Sequence, residues 1–253
     1  MPVSLKELEL ELKQVLRPEQ FKDYCPNGLQ VEGRKEISKL VTGVTACQEL
    51  ITAAVEAGAD ALLVHHGYFW RGEDQSISGI KKTRIEALLK HDLSLFAYHL
   101  PLDVHREFGN NVQLGKVLGI EIDGEIGKQN NHPIGLTGTI DQDTDFDSLK
   151  ALIADKLDRQ PLAIEGNSRP IRSIAWCTGA AQNYIELAVA AGIDAYITGE
   201  VSEPTVHIAR ESGIHFFSAG HHATERYGVQ AIGGHLASKF GIEHQFIDID
   251  NPV

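Results

Sequence analysis

The sequence predicts an α/β fold made of two α/β domains of related topology. Short apolar segments typical of strands alternate along the chain with amphipathic segments typical of helices, as in layered α/β proteins. Residues 48–61 are echoed, without gaps, by residues 182–195. The 253 residues suffice for one large domain or for two of ordinary size, and the echo favours two.

The first half of the chain is predicted to alternate helix and strand. Residues 4–7, Ser-Leu-Lys-Glu, form a capping-box pattern, apolar residues at helical spacing follow, and Pro18 ends this helix. Residues 123–131 are polar and rich in turn formers, so we place the domain boundary there, with domains at 1–127 and 128–253. The other elements expected before this boundary are strands at 29–31, 39–46, 61–64 and 93–98, and helices at 48–58, 83–91 and 110–118.

The second half contains the echo. Segments 48–61 and 182–195 share Gln, Ile, Ala, Val, Ala, Gly, Asp and Ala at matching positions, and in each a helix precedes an apolar strand. A repeat of this length argues for duplicated topology, although ordinary helix–strand joints also resemble one another. The first of these strands ends in His65-His66 and the second in Gly199-Glu200. The other elements expected here are strands at 134–140, 161–164, 174–177, 214–218 and 245–249, and helices at 147–157, 203–212 and 224–240.

Composition and charge argue against several classes of protein. The formal net charge is -12 with neutral histidines, so the surface should repel a nucleic-acid backbone, although a local cationic site is not excluded. The three cysteines form no Cys-x-x-Cys pair, so neither a disulfide framework nor a thiolate zinc site is indicated. We see no signal peptide and no apolar stretch of about 20 residues. We therefore expect a cytoplasmic protein that binds no membrane and has no broad electrostatic surface for nucleic acid.

Three predicted strand ends carry side chains that can bind metal ions. They are His65 and His66, then Asp103 with His99 nearby, and then His221 with Glu225. Successive side chains of a strand point to opposite sides, so we expect His65 and His66 to diverge and to suit two separate ions. His221 and Glu225 share one face if their segment is helical, and a carboxylate can also bridge two ions.

The ligand set indicates the metals and the reaction class. Imidazoles and carboxylates without a thiolate suit Zn²⁺, Mn²⁺, Fe²⁺ or a similar ion. Five protein ligands are too few to close two coordination shells, and positions open to water are typical of catalytic sites. Two ions roughly 3.5–4 Å apart acidify a shared water and clamp a phosphate or carbonyl oxygen. The sequence therefore favours metal-assisted hydrolysis.

Each candidate ligand also has an ordinary structural interpretation. The two adjacent histidines can be one packed and one solvated residue, and Asp103 follows Pro101 as a turn residue would. Glu225 would stabilise the first turn of a helix. His99 either ligates a metal or hydrogen-bonds a ligand. No P-loop, dinucleotide-binding or serine-hydrolase motif is present in the sequence.

Four motifs are specific when they are taken together and in order. They are Asn-Gly-Leu-Gln-Val at 27–31, Val-His-His-Gly-Tyr-Phe-Trp at 64–70, His-Leu-Pro-Leu-Asp at 99–103 with Gly-Asn-Asn at 109–111, and Gly-His-His-Ala-Thr-Glu at 220–225. This combination resembles the Nif-three-like family, whose members are called GTP cyclohydrolase 1 type 2 homologues. The resemblance spans nearly the whole chain, and the length is that of the short bacterial form.

The resemblance implies a fold, an assembly and a ligand set. The fold would be two interacting α/β domains, and the assembly a toroidal homohexamer, a trimer of dimers, with a dinuclear metal site in each subunit. Two divalent metal ions would be bound, with Glu225 as the bridging carboxylate. Bacterial members of the family are linked to the handling of damaged nucleotides. Carried over by motif, the ligands are His65, His66, Asp103, His221 and Glu225.

The function expected first is a dinuclear metal-dependent hydrolase whose small-molecule substrate is GTP or a damaged purine nucleotide. Water activated by the metals would attack ring carbon C8, and His99 is our candidate for the catalytic group that moves protons. One alternative is a metal-binding or metal-delivery protein whose site is not a catalyst. Another is an interaction scaffold in which the ring itself is the functional object.

Overall fold

The computed structural model describes residues 2–129, 132–167 and 169–253, and only the backbone of residues 129 and 141–143. Single turns of 3₁₀ helix lie at Pro18–Gln20 and Gln182–Tyr184. The strands, in chain order, are β1 Val3–Ser4, β2 Gly28–Val31, β3 Glu36–Ile37, β4 Lys39–Thr45, β5 Ala61–His66, β6 Ser94–Ala97, β7 Glu121–Gln129, β8 His132–Thr144, β9 Leu162–Ile164, β10 Ile171–Trp176, β11 Ala195–Thr198, β12 His215–Ser218 and β13 Glu243–Phe246. The α-helices are α1 Leu5–Leu16, α2 Gln48–Glu56, α3 Gly79–Lys90, α4 Leu100–Asp103, α5 Asn110–Leu118, α6 Phe146–Leu157, α7 Ile185–Ala190, α8 Glu203–Ser212, α9 His221–Thr224 and α10 Arg226–Phe240.

The chain divides into two compact units. The first comprises Met1–Phe108 and Gly228–Asp250, and the second comprises Gly109–Tyr227 and Asn251–Val253. The boundary placed between residues 127 and 128 from the sequence differs from this division at two segments. Residues 109–127 lie in the second unit, and most of α10 with β13 lies in the first. The domain boundary placed from the sequence stays a prediction.

The first unit is built on a five-stranded sheet in the order β13-β4-β5-β6-β2. The first four of these strands are parallel, and β2 runs antiparallel to β6. Strand β5 is buried on both faces: Leu63 packs in a core with α1 and α10, and Leu62 packs in a core with α2 and α3. A strand covered on both faces is apolar throughout rather than alternating, which explains the apolar run before His65.

The second unit is built on a six-stranded sheet in the order β7-β8-β10-β11-β12-β9. Strands β10, β11 and β12 are parallel, while β9 and β8 are antiparallel to their neighbours. The order β10-β11-β12-β9 therefore matches β4-β5-β6-β2 of the first unit in direction and connection. The register matches too, because Ala61 pairs with Leu40 and Ala195 pairs with Ile174. The related topology expected from the echo is confirmed.

An aspartate at the echoed position, Asp60 in the first unit and Asp194 in the second, makes the same contacts in both units. The carboxylate of Asp60 accepts hydrogen bonds from the backbone N–H groups of Ser38 and Lys39. The carboxylate of Asp194 accepts them from the backbone N–H groups of Arg172 and Ser173. Because each unit makes the same local contact, the sequence echo corresponds to the same connection, from a helix into parallel strands, formed once in each unit.

Two predicted elements differ in the structure. The predicted helix at 224–240 is instead two helices, α9 and α10, separated at Glu225, whose backbone is not helical at φ −108° and ψ 8°. The sequence predicts turns at 123–131, but residues 123–129 belong to β7, which pairs with β8. A strand at the edge of an antiparallel sheet tolerates polar residues because it is partly solvated. Residues 130 and 131 lie outside the described residues.

The remaining predicted elements are confirmed, most of them with shifted ends. Helix α3 begins at Gly79 rather than residue 83, and β5 continues through the two histidines. Shifts of a few residues are expected because element ends are weakly specified by sequence. Within the described residues, the helices fall short of the length and apolar character that a bilayer span requires.

Candidate metal centre

His65 occupies the penultimate position of β5 and is completely buried. Its Nδ1 atom lies 2.9 Å from the backbone carbonyl oxygen of Tyr98. A carbonyl oxygen can only accept, so Nδ1 carries the proton and donates it. The parallel pairing of β5 with β6 creates this contact, because both strands end at the same edge of the sheet. A neutral His65 therefore presents the lone pair of Nε2.

The Nε2 atom of His65 lies 3.3 Å from Oδ1 of Asp103, the last residue of α4. A nitrogen lone pair and a carboxylate oxygen are both acceptors, and at this distance they repel unless a proton or a cation lies between them. A divalent ion would satisfy both atoms. Metal-binding histidines commonly donate one ring N–H to a backbone carbonyl, as Nδ1 of His65 does, and bind the ion through the other ring nitrogen.

His66 and His65 have closely spaced rings. The ring centroids are 4.5 Å apart, so the divergence expected from strand alternation is wrong in extent. Alternation fixes only the directions of the Cα–Cβ bonds. Because β5 ends at His66, the imidazole of this residue can rotate past the end of the strand toward the ring of His65. The Nδ1 atom of His66 hydrogen-bonds with the Thr45 hydroxyl at 3.1 Å. This spacing still fits two ions a few ångströms apart.

His99 follows β6 and completes a group of three imidazoles in the first unit. A ring nitrogen of His99 and one from each of His65 and His66 lie within 4.8 Å of one another. Its Nδ1 atom lies 2.7 Å from Oδ1 of Asp23, and its backbone N–H donates to Oδ1 of Asn27. Asp23 escaped the sequence reasoning because it lies just before a Pro-Asn-Gly turn, and the residues of that segment indicate only a structural turn.

The buried carboxylate of Asp23 accepts hydrogen bonds from four donors. The donors are His99 Nδ1, Asn27 Nδ2 and the backbone N–H groups of Tyr24 and Leu100. Burial acts to raise the pKa of Asp23, but the hydrogen bond and charge of His99, with those from Asn27 and Tyr24, hold this pKa below its usual value. Asp23 is therefore ionised at neutral pH and accepts the Nδ1 proton of His99.

Cys25 lies beside this group but does not supply a thiolate. One ligand atom each from Asp23, Cys25 and His99 lie within 4.8 Å of one another. Burial, followed by the charges of Asp23 and Asp103, raises the pKa of the Cys25 thiol to about 12. The thiol stays protonated at neutral pH, which agrees with a donor set of nitrogen and oxygen.

In the second unit, His221 lies between two carboxylates. Its Nδ1 atom is 2.7 Å from Oε1 of Glu200, and its Nε2 atom is 3.1 Å from Oε2 of Glu225. Burial acts to lower the pKa of His221, but the hydrogen bonds and charges of Glu225 and Glu200 raise it to about 9. Two carboxylates on one imidazole require a proton or a cation at Nε2. This is the same requirement as at His65.

Glu225 is held in place by tight packing. Only 3% of the residue is exposed, and a Cβ atom added to Gly179 would lie 2.1 Å from Glu225 Oε1. Gly179 also has φ +68°, a conformation that glycine adopts without strain. His221 and Glu225 are expected to share one face of a helix, and their side chains do lie close together, with Nε2 and Oε2 3.1 Å apart. Glu225, however, follows α9 and does not lie inside a long helix.

The structure thus brings together the predicted residues of each unit. His65, His66, His99 and Asp103 meet in the first unit, and His221 meets Glu225 in the second. Glu200 and Gly179 were not predicted as parts of the site. Glu200 did carry a signal, because it occupies the echoed position of His66, two residues after β11 ends.

Comparison with known proteins identifies the family. The profile of the Duf34/NIF3 (NGG1p interacting factor 3) family matches residues 3–252. The chain belongs to this family. The resemblance stated from the four motifs is thereby confirmed.

Relatives of this NIF3-family chain share its full length. It is 54% identical over 253 residues to a Pseudomonas aeruginosa protein named GTP cyclohydrolase 1 type 2 homolog, with 100% of both chains covered. It is 47% identical over 249 residues to an Escherichia coli protein of the same name, with 98% of both covered.

Solved structures confirm the fold. One, titled "Structural genomics, protein ybgI, unknown function", gives a TM-score of 0.95 at 46% identity and covers 99% of this chain and 100% of that one. TTHA1606 from Thermus thermophilus gives 0.87 at 30% identity, covering 99% and 100%.

Proposed function

We propose that this NIF3-family protein is a dinuclear metal-dependent hydrolase acting on a small nucleotide, GTP or a damaged purine nucleotide. The observation that carries the proposal is the way its imidazoles are held. Nδ1 of His65 and of His221 donates to an oxygen acceptor, and Nε2 of each lies near a carboxylate oxygen. Such a pattern directs Nε2 at a cation, because the protein supplies the acceptor for the other nitrogen.

The proposed ligands are the five that the family motifs imply. They are His65, His66, Asp103, His221 and Glu225, and Glu225 would be the bridging carboxylate. The donors are nitrogen and oxygen, which suits Zn²⁺, Mn²⁺ or Fe²⁺. Two such ions supply Lewis-acid chemistry and acidify water for hydrolysis. We extend the proposal to the assembly, a homohexamer.

His99 is the residue proposed to move protons. Its Nδ1 proton is donated to Asp23, which leaves Nε2 with a lone pair that can take a proton from the attacking water or return one to the leaving group. His99→Gln should keep two metals per chain and slow turnover by about 100-fold. A loss of metal in this variant would instead make His99 a ligand.

The surroundings of His99 support a nucleotide as the substrate. The Trp70 ring lies edge-on to His99 with centroids 5.0 Å apart, and the Tyr24 ring, in a residue 47% exposed, lies at 6.3 Å. The Arg71 guanidinium lies 5.9 Å from the centroid of Tyr24. Aromatic faces stack on bases and arginine binds phosphate. Phe69, at φ +66°, holds this segment in a strained conformation of the kind found at functional sites.

The test is elemental analysis of the untagged protein, followed by a nucleotide hydrolysis screen with metal added back. We expect two divalent ions per chain and metal-dependent turnover of GTP or an oxidised purine nucleotide. Asp103→Ala should abolish turnover. If hydrolysis survived that change, or if no metal were bound or taken up, the proposal would be refuted.

A second candidate is a metal-binding protein that does not catalyse hydrolysis. The observation in its favour is the lack of any P-loop or dinucleotide-binding motif in the sequence. It predicts two metals per chain and no turnover of any nucleotide in the same screen. The two candidates are therefore separated by a single series of measurements.

A further inference from the structure

We infer that Asp23 is a positioning residue that fixes the His99 ring for proton transfer, an inference that rests on the proposed role of His99. The two side chains form a carboxylate–imidazole pair 2.7 Å apart. The side chain of Asp23 is 3% exposed and that of His99 is 16% exposed. A buried pair of this kind holds one tautomer and one ring orientation.

The carboxylate itself cannot rotate freely. Oδ1 accepts from the backbone N–H of Tyr24 at 2.6 Å as well as from His99. Oδ2 accepts from the backbone N–H of Leu100 at 2.9 Å and from Asn27 Nδ2 at 2.8 Å. Two of these four donors belong to the backbone, so the direction of the hydrogen bond to His99 is set by the fold.

The His99 ring is fixed from other sides as well. Its backbone N–H donates to Asn27 Oδ1 at 2.7 Å, so Asn27 contacts both members of the pair. The Trp70 ring packs against His99 in a T-shaped contact. With Nδ1 protonated and directed at Asp23, the lone pair sits on Nε2, where a reacting proton can be taken up.

A purely structural role for Asp23 is the competing explanation. Asp23 also caps α4 through the Leu100 N–H, so its loss would loosen the segment that ends at Asp103. The two roles differ in what they predict for the His99 tautomer. A cap alone would leave the tautomer unspecified, whereas a positioning residue fixes it at Nδ1–H.

Asp23→Asn disturbs the pair without changing the size of the side chain. One oxygen becomes an NH₂ group, and at either position this group faces a backbone N–H, from Tyr24 or from Leu100. The variant also removes the negative charge opposite His99. The matched control is Glu11→Gln, because Glu11 is a 7% exposed side chain that accepts from His235 Nε2 in the same unit.

The experiment combines ring nitrogen NMR with steady-state kinetics on the full chain. Histidine is labelled with ¹⁵N, spectra are taken with Zn²⁺ bound and again after chelation, and the His99 signals are assigned by their loss in His99→Gln. We expect the Nδ1–H tautomer in the wild type and its loss in Asp23→Asn. We expect kcat of Asp23→Asn to fall about 100-fold, with KM and metal content unchanged, and Glu11→Gln to behave as the wild type.

The inference is overturned if wild-type His99 carries its proton on Nε2, a result that needs no variant to fold. It is also overturned if Asp23→Asn keeps both the tautomer and kcat. Should no nucleotide be hydrolysed by the wild type, the proposed function fails, and the NMR result still decides whether Asp23 fixes the ring.

Discussion

The residues behind the candidate ligands shape their chemistry as much as the ligands do. Tyr98 supplies a carbonyl to His65, Asp23 supplies a carboxylate to His99, and Glu200 supplies one to His221. Each acceptor sets which ring nitrogen keeps its proton. Candidate ligands can be found in a sequence by their residue type. The groups that orient them cannot always be found in this way, because a backbone carbonyl such as that of Tyr98 is present in every residue.

Gly179 offers a test of how tightly Glu225 must be held. Gly179→Ala would place a Cβ 2.1 Å from Glu225 Oε1, and the buried Glu225 has little room to move. We expect the free energy of unfolding to fall by roughly 1–3 kcal/mol more than in the control, with loss of bound metal. Urea unfolding and elemental analysis measure the two effects.

The control for Gly179 is Gly192→Ala. Gly192 has φ +71°, close to the +68° of Gly179, but a Cβ there would meet nothing within 4 Å. It therefore carries the same backbone strain without the clash. Equal losses of stability in the two variants, with metal retained in both, would show that Gly179 matters only through its backbone.

Asp194 should make stability depend on pH. Burial acts to raise its pKa, but hydrogen bonds from Ser173 and the backbone of Arg172 hold the pKa below its usual value. A depressed folded pKa contributes stability above the unfolded pKa, near 3.9, and this contribution is lost as the pH falls through the folded pKa. Asp194→Ala should therefore cost about 1–3 kcal/mol at neutral pH and progressively less below about pH 4.

Urea unfolding at neutral and acidic pH measures this difference. Asp155→Ala is the control, because the Asp155 side chain is 75% exposed in the same unit. We expect little change in that variant at either pH. A cost for Asp194→Ala that stays constant down to strongly acidic pH would show that its hydrogen bonds do not depend on ionisation.

At the scale of elements, apolar periodicity identified the parallel strands and the helices between them. The helix at 110–118 and the helix at 203–212 have the predicted ends, since each combines clear periodicity with a glycine after it. The break at Glu225 was missed because α9 is a single turn, too short to have a period of its own. β7 was missed because its polar residues lie on a partly exposed edge hairpin.

Helix α1 allows a test of how much the buried face of an amphipathic helix contributes to the stability of the first unit. Leu8 is fully buried in the core of the first unit, whereas Leu10 on the same helix is 55% exposed. Leu8→Ala should lower the free energy of unfolding by about 2–5 kcal/mol, because it removes buried apolar surface and leaves a cavity. Leu10→Ala should change it by less than about 0.5 kcal/mol. Similar costs for the two changes in urea unfolding would contradict the assignment of the buried face.

For the molecule as a whole, duplication explains where the candidate ligands lie. Ala61 pairs with Ser94 in the first unit, and its echo Ala195 pairs with His215 in the second. The four-residue helix α4 begins as many residues after Ser94 as the four-residue helix α9 begins after His215. The ligand-bearing residues therefore follow equivalent strands. The sequence echo reached only the helix and strand before them, because the short helices share no residue pattern.

Metal binding to the folded chain should appear as a change in thermal stability. An ion that binds the folded state alone stabilises it by about 2.7 kcal/mol per site at a free concentration one hundred times its Kd. Chelation should therefore lower Tm, and added Zn²⁺ or Mn²⁺ should restore it. His65→Ala should lose most of this metal-dependent increment, because it removes the nitrogen that faces Asp103.

His207→Ala is the control for that measurement, because His207 has a 61% exposed side chain in α8. The His207→Ala variant should retain the whole metal-dependent increase in Tm. This control distinguishes the loss of a metal ligand from the loss of a histidine that binds no metal. An increment that survives in His65→Ala would place the metal elsewhere. An increment lost equally in both variants would show that ions bind histidines without regard to site. Only a loss confined to His65→Ala is consistent with a metal held by the Nε2 atom that Tyr98 orients, since that orientation exists only in the folded chain.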